Sequence, residues 1–329
     1  FRYRAEQFII RDLARKILLD RFSLPLARAK NCLPHFRVAG LVPIIPGLAQ
    51  AVRGAGFANA NPDIDSTFRR LPLFLKEGDR LLPQGAFMLS LDLLGAGLED
   101  IRFDERGTLI ISPPGGNKLE FPLDRNNMFL VNWAGGWQKP FKHLSVSELM
   151  TDREMEKVHW RLLKSAFELL GRREADHMDA LPGSKEAITK AHETIVPKLA
   201  DLAATLSRMV NTSERLKSKP VMLEEALARV ARMERLLGNL KIVEAERQVL
   251  RKKISAKITG RTCLVGSTAG SSIDLGVTPF EEKYPMVGMH ANLLNGIVTG
   301  NFIRELPAGW TYGTAFIMVL ILGFALPRQ

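Results

Sequence analysis

The sequence predicts an α/β fold: a mixed-sheet domain interrupted by a long all-helical insertion and followed by a transmembrane helix. Three observations predict it. Short apolar runs separated by Gly, Pro and Asn fill the stretch from Gly56 to Gly136 and return at Thr262 to Val265, the pattern of strands between turns. Between Thr151 and Ile254 glycine becomes rare and apolar residues recur at steps of three and four, the pattern of packed helices. From Gly309 to Pro327 there is no charged side chain, close to the ~20 apolar residues that a bilayer span requires. The resulting boundaries are 1–150 for the first part of the α/β domain, 151–256 for the insertion, 257–307 for the closing part and 308–327 for the span.

In chain order, Phe8, Ile9, Leu13, Ile17 and Leu18 sit at helical spacing in residues 1–22, an amphipathic helix that packs on the domain or lies on a membrane surface. Pro25, Pro34, Pro43 and Pro46 keep the next stretch irregular until a short helix at Leu48 to Val52. Gly56 to Ala60 reads as a strand, Asn61 to Asp65 as a turn, and Arg69 to Lys76 as a second strand whose alternation sends Arg69 and Arg70 to opposite faces. Pro83 to Leu94 reads as a helix ended by Gly95 and Gly97. Strands follow at Leu109 to Ser112, Leu119 to Pro122 and Met128 to Trp133, the first two separated by the turn PPGGN.

The insertion begins with a helix over Asp152 to Leu170. It continues with an apolar stripe at Ile188, Ala191, Ile195, Leu199, Leu202, Leu206 and Val210. A second stripe runs through Leu223, Ala226, Val230, Met233, Leu237 and Leu240. Pro197 and Gly238 are expected to interrupt these runs, and NTSERLKSKP (Asn211 to Pro220) to turn between them. Core packing or self-association, including a homodimer, accounts for such a stripe. After it come a buried strand at Thr262 to Val265 and a helix at Val287 to Thr299, with Met289, Leu293, Leu294 and Ile297 on its apolar face.

Composition excludes some functions. The chain has 329 residues, 46% hydrophobic and 25% charged, with a net charge of +11. The basic surplus lies on helices mixed with acids, with about nine basic against three acidic residues in the first 37. No basic stripe interleaved with aromatics is visible, so a nucleic-acid partner is not indicated. Cys32 and Cys263 have no metal-like spacing. Cys263 is expected in the core, unpaired or, in an oxidising compartment, bridged to Cys32. There is no G-x-S-x-G elbow, no H-E-x-x-H pair, and GSTAGSSID lacks the Gly-Lys-Ser/Thr ending of a phosphate loop. No catalytic residue, metal or cofactor is therefore predicted.

The run CLVGSTAGSSID, then TP and GMHANLLNGIV (Cys263 to Val298), preceded by GAGFANANPDIDSTFRRLPLFL (Gly54 to Leu75) and FLVNWAGG (Phe129 to Gly136), resembles the second type of CHASE domain. The resemblance covers roughly residues 35–145 and 258–327. Ser66 stands where the family's Asp-x-Asp-Gly has its Gly, and the helical insertion departs from the usual pattern. The resemblance implies an extracytoplasmic sensor of a bacterial receptor in the inner membrane, linked to a nucleotide cyclase or a histidine or serine/threonine kinase. It also implies that a further span and more α/β structure precede Phe1 in the parent polypeptide. An enzyme is thus implied only for the parent, and the lipid bilayer is the implied partner. Trp310 and Tyr312 at one end of the span and Arg328 at the other fit that orientation. The other readings are a scaffold or oligomerisation module without a small ligand, and a piece of a membrane-bound cyclase.

The candidate ligand-binding residues are those with polar groups beside predicted sheet elements. Asp63 and Asp65 present carboxylates in the turn, for a cation or for Asx-type turn bonds. Arg69 and Arg70 follow them. Asn132 and Trp133 close a strand, where ligands collect in α/β sheets. Ser267 and Thr268 follow the expected strand at 262–265, and His290 and Asn292 lie on the helix after it. Arginines and backbone amides together point to a small anionic or carboxylate-bearing ligand.

Overall fold

The computed structural model describes residues 2–29, 41–105, 107–124, 126–170, 185–268, 274–305 and 308–325. The elements run α1 (Arg2–Phe22), β1 (Leu24–Pro25), α2 (Pro46–Ala51), β2 (Arg70–Pro72), β3 (Phe74–Glu77), β4 (Arg80–Pro83), α3 (Gly85–Leu93), β5 (Ile101–Phe103), β6 (Leu109–Ile111), β7 (Leu119–Phe121), β8 (Met128–Leu130), α4 (Val146–Leu169), α5 (Lys185–Thr212), α6 (Glu214–Lys217), α7 (Pro220–Ile258), β9 (Leu275–Gly276), β10 (Tyr284–Pro285), α8 (Val287–Thr299) and α9 (Ala308–Ala325). They divide into two units, Phe1–Phe141 with Leu264–Gln329, and Lys142–Cys263.

In the first unit the expected mixed sheet is replaced by four small antiparallel ladders, β1-β4-β3, β2-β8, β5-β6-β7 and β9-β10. Among the described residues parallel pairing is confined to the isolated bridges Phe57–Gln84 and Thr67–Val277, so Gly56 to Ala60 contributes one bridge instead of a strand. Tight turns cause this. Gly78 adopts φ 60° between Glu77 and Arg80, which pair directly. Such a two-residue hairpin returns the chain antiparallel, whereas a parallel partner needs a crossover of a dozen residues or more.

The core joins these ladders to α3 and α8. Leu71, Leu81, Phe87, Ile101, Leu109, Ile111 and Phe121 are buried there, and the predicted face of α8, Met289, Leu293, Leu294 and Ile297, is buried against them. Phe74, Phe87, Phe121 and Phe129 form an edge-to-face or tilted chain with centroids 5.4 to 6.1 Å apart, the arrangement aromatic quadrupoles favour. Gln84 caps α3 by accepting from the Phe87 amide at 3.0 Å, which satisfies one of the helix's orphan donors. Helix α1 packs through Ala14, Leu18 and Phe22. Arg21 donates to the Ala49 and Gln50 carbonyls at the end of α2, and the predicted face residue Leu13 is half exposed.

The strand predicted at Thr262 to Val265 is absent. These residues are irregular, and Cys263 is an exposed free thiol and not a core residue. Thr-Cys-Leu-Val has strand-forming side chains, but strand propensity records packing against neighbours, and among the described residues no strand pairs with this run. Cys32 lies outside the described residues.

The second unit packs α4, α5 and α7 around Leu163, Ala166, Ile188, Ile195, Leu199, Met233 and Leu240, with the short α6 between α5 and α7. Helix α4 starts six residues before the predicted Asp152, because Ser145 and Glu148 form a capping box, the S-x-x-E signature of a helix start. Pro197 and Gly238 do not interrupt their helices; α5 and α7 run through them. A proline removes one hydrogen bond at a cost of about 3 kcal/mol, and the buried Ile195 and Leu199 on either side offset it. Gly238 lies in open space on an exposed face, where a helical glycine costs only about 1 kcal/mol.

Candidate functional site

The turn at Asn61 to Asp65 is held by its own backbone. The Asp63 amide donates to the Thr67 carbonyl at 2.9 Å, the Ser66 amide to the Asp63 carbonyl at 2.9 Å, and the Thr67 amide to Asp65 Oδ1 at 3.1 Å. Ser66 adopts φ 64°, a left-handed conformation that a glycine would take with less strain. Phe68 N donates to the Val277 carbonyl at 2.8 Å and anchors the turn.

Both arginines converge on this turn instead of pointing apart. Arg69 Nη1 lies 2.8 Å from Asp65 and 3.4 Å from Asp63. Arg70 Nη1 lies 2.8 Å from the same Asp63, its Nε lies 3.2 Å from Asp124, and its Nη2 donates to Glu305. The Arg69 hydrogen bond and the Thr67 amide hold the Asp65 carboxyl down at about 2. Hydrogen bonding to Glu305, with the charge of Asp63, pushes the Arg70 guanidinium up. Beside these groups opens a cavity of about 550 Å³ lined by Asn61, Pro62, Asp63, Ile64, Asp65, Arg69, Arg70, Asn126 and Met128.

The other predicted site residues do not line this cavity. Asn292 is fully buried. Its Oδ1 accepts from the Ala134 amide at 2.8 Å, and its Nδ2 donates to the Gly288 carbonyl at 2.7 Å and to the Tyr284 hydroxyl at 3.1 Å. Trp133 stands edge-on to Tyr284 with centroids 5.1 Å apart. Gly288 is required between Tyr284 and Trp137, because a Cβ there would meet Tyr284 at 2.5 Å and Trp137 at 2.8 Å. Asn132 donates to the Asn301 carbonyl at 3.2 Å. His290 Nδ1 accepts from Gln84 Nε2 at 2.6 Å, and burial pushes its imidazole down. Ser267 and Thr268 are exposed on the segment that precedes α8.

Asp124 and Glu305 were not legible as site residues. Asp124 lies in an Asx-type loop, where its Oδ1 accepts from the Asn126 and Met128 amides at 2.8 and 2.9 Å. The D-x-N-N run signals that turn, but nothing in the sequence signals Arg70.

A second constellation, also missed from sequence, lies inside the helical unit. His159, Glu156, Asp152 and Arg247 are buried between the helices. Arg247 Nη1 donates to His159 Nδ1, which makes Nε2 the protonated nitrogen; Nε2 donates to His192 Nδ1 at 2.9 Å. Arg251 binds Asp152 at 2.9 Å and also Glu156. Burial, with the Arg247 charge second, lowers the His159 imidazole to about 4. Donor atoms of His159, His192 and Glu244 lie within 4.8 Å of one another. Two of the three, His159 and Glu244, meet the Arg247 guanidinium, which lies 3.0 Å from Glu244.

Helix α9 has 18 residues, about 27 Å at the α-helical rise, just under the ~30 Å hydrocarbon core. Among the described residues no helix is long and apolar enough to cross a membrane, so the predicted span is not shown. Every described α9 side chain, Gly309 to Gly323, is exposed.

Small antiparallel ladders packed on two helices, a charged cavity at one turn and a helical unit placed between two parts of the chain define an α+β domain with a helical insert. The family model of the CHASE2 domain matches residues 6–325, a range that includes the helical unit. The chain belongs to the CHASE2 family, a family of extracellular sensory domains of signalling receptors. No curated protein and no solved structure matches it.

Proposed function

We propose that this chain is the extracytoplasmic sensor module of a bacterial inner-membrane receptor. A small ligand occupies the cavity at Asp63, Asp65, Arg69 and Arg70, and α9 with the residues around it carries the signal through the bilayer. The output on the far side is a nucleotide cyclase or a protein kinase. The observation that carries this reading is Arg70. One guanidinium holds Asp63 on the cavity wall and Glu305, three residues before α9. A ligand that changes the demand on Asp63 therefore changes the hold on Glu305, and a difference in affinity between two such arrangements biases an equilibrium. The charge-free α9, exposed at every described side chain, supports the membrane assignment, because apolar side chains left outside a core need another apolar environment.

A specific observation favours the alternative of a self-association module. The 39-residue α7 exposes Val221, Met222, Leu227, Ile242 and Val249, a surface a second copy could cover. Cysteine labelling of the intact protein in bacteria tests the main reading. With Cys32 and Cys263 replaced by serine, since Cys263 is itself exposed, a single cysteine at an exposed position of α7, such as Gly238→Cys, is expected to react with an impermeant maleimide from the periplasmic side. Reaction only after the inner membrane is disrupted would overturn the orientation.

A further inference from the structure

The cavity's own charges identify the class of ligand. Its charged lining residues are Asp63, Asp65, Arg69 and Arg70, two carboxylates and two guanidiniums, so the formal charge of the lining is zero. A ligand with one negative charge would meet two carboxylates, and one with one positive charge would meet two guanidiniums. Arg70 is already matched by Asp63, Asp124 and Glu305. The charges left for a ligand are therefore one guanidinium and one carboxylate, Arg69 and Asp65, and a ligand carrying both charges side by side finds a counter-charge for each. The geometry at Arg69 and Asp65 suits such a ligand. Arg69 meets both aspartates through Nη1, so Nε and Nη2 present the paired face that grips a carboxylate in two-pronged fashion. Asp65 engages Arg69 and the Thr67 amide through Oδ1, so its Oδ2 is the acceptor for an ammonium group. Both residues are open to solvent, with side chains 37% and 55% exposed. Their direct contact at 2.8 Å matches an ammonium and a carboxylate separated by a single carbon.

The remaining wall is apolar or amide. Pro62, Ile64 and Met128 offer surface for an aliphatic body, and Asn61 and Asn126 lie beside them. Ile64 is wholly exposed, where an apolar ligand could cover it. We propose that the cavity takes a zwitterionic α-amino acid, its carboxylate on Arg69, its ammonium on Asp65 and an aliphatic or thioether side chain over Pro62, Ile64 and Met128. This inference rests on the cavity being the sensing site. It narrows the anionic ligand expected from sequence to one that carries a compensating positive charge.

The test is calorimetric titration of the full chain in detergent micelles with L-leucine, L-methionine, 4-methylpentanoate and 3-methylbutylamine. The last two carry leucine's aliphatic body with only one of its charges. The amino acids are expected to bind, and each single-charge analogue at least about tenfold more weakly, the loss of one charge-assisted contact. Arg69→Gln should abolish the preference for leucine over 3-methylbutylamine, and Asp65→Asn the preference over 4-methylpentanoate. Both side chains are exposed, and far-ultraviolet circular dichroism of each variant confirms that it is folded. No binding of either amino acid, or 4-methylpentanoate binding as tightly as leucine, would overturn the proposal. A wrong membrane orientation is a separate failure, because it appears in the labelling experiment and leaves these titrations unchanged.

Discussion

Asp63 with Arg70 in the first unit and Glu156 with Arg251 in the helical unit are both carboxylate–guanidinium pairs, yet their surroundings differ. Asp63 is 22% exposed at the edge of an open cavity, whereas Glu156 is 3% exposed between helices. Water reaches the first pair and screens it, so it contributes little to stability and remains available for exchange with a ligand. In the second the carboxylate has lost nearly all its water, although Arg251 is 27% exposed, so Glu156 depends on its arginine partners. The first unit therefore holds its charges where a ligand can compete for them, and the helical unit holds its charges as part of its packing.

Core disruption should separate the two regions most sharply. Leu240 is fully buried among α4, α5 and α7, and Leu240→Asp would bury an unpaired carboxylate at a cost above about 4 kcal/mol. Loss of the helical unit's cooperative melting in circular dichroism is expected. Ile64→Asp on the exposed cavity rim should leave melting unchanged. An equal loss in both variants would erase the contrast.

Glu156→Gln comes next. It leaves Arg251 and the buried Arg247 short of a counter-charge, and breaking a buried pair costs about 3 to 5 kcal/mol. Asp63→Asn removes an acceptor shared by Arg69 and Arg70 near solvent, with an expected cost below about 1 kcal/mol. Urea midpoints of the two variants measure the difference, and a larger effect for Asp63 would reverse the argument.

A smaller effect concerns pH. His159 is held neutral down to about 4, so the unfolded chain, with an ordinary imidazole, takes up the proton first. The sign follows from linkage: the stabilisation is fully present above about pH 6.5 and is lost as pH falls toward about 4. Its size is on the order of 3 kcal/mol. Arg247, Arg251 and His192 around the ring oppose its charging, and Glu244 favours it. Melting temperature of the wild-type chain should therefore fall through this window more steeply than that of His159→Gln. Parallel curves would show that another group carries the dependence.

Much of the fold could be read from local pattern. Helix α8 was predicted with its observed limits and its buried face, because Met289, Leu293, Leu294 and Ile297 mark one side of a helix directly. The two apolar stripes of the helical unit were legible for the same reason. The hairpin arrangement was less so, since strands of two to four residues carry too few alternations to fix their partners. Within the site, Asp65 and Arg69 could be associated because they are four residues apart in one turn.

Spacing in the sequence therefore determined the helices, the turn chemistry at Asn61 to Asp65 and the family resemblance, since each is a property of neighbouring residues. Only the tertiary structure decided that Arg70 holds Asp124 and Glu305, that Arg247 faces His159 from 88 residues away, and that Cys263 is exposed. A charge pairs with whatever the folded backbone brings within reach, and a short strand is buried only if another strand accepts its hydrogen bonds. Neither condition is written in the residues beside it.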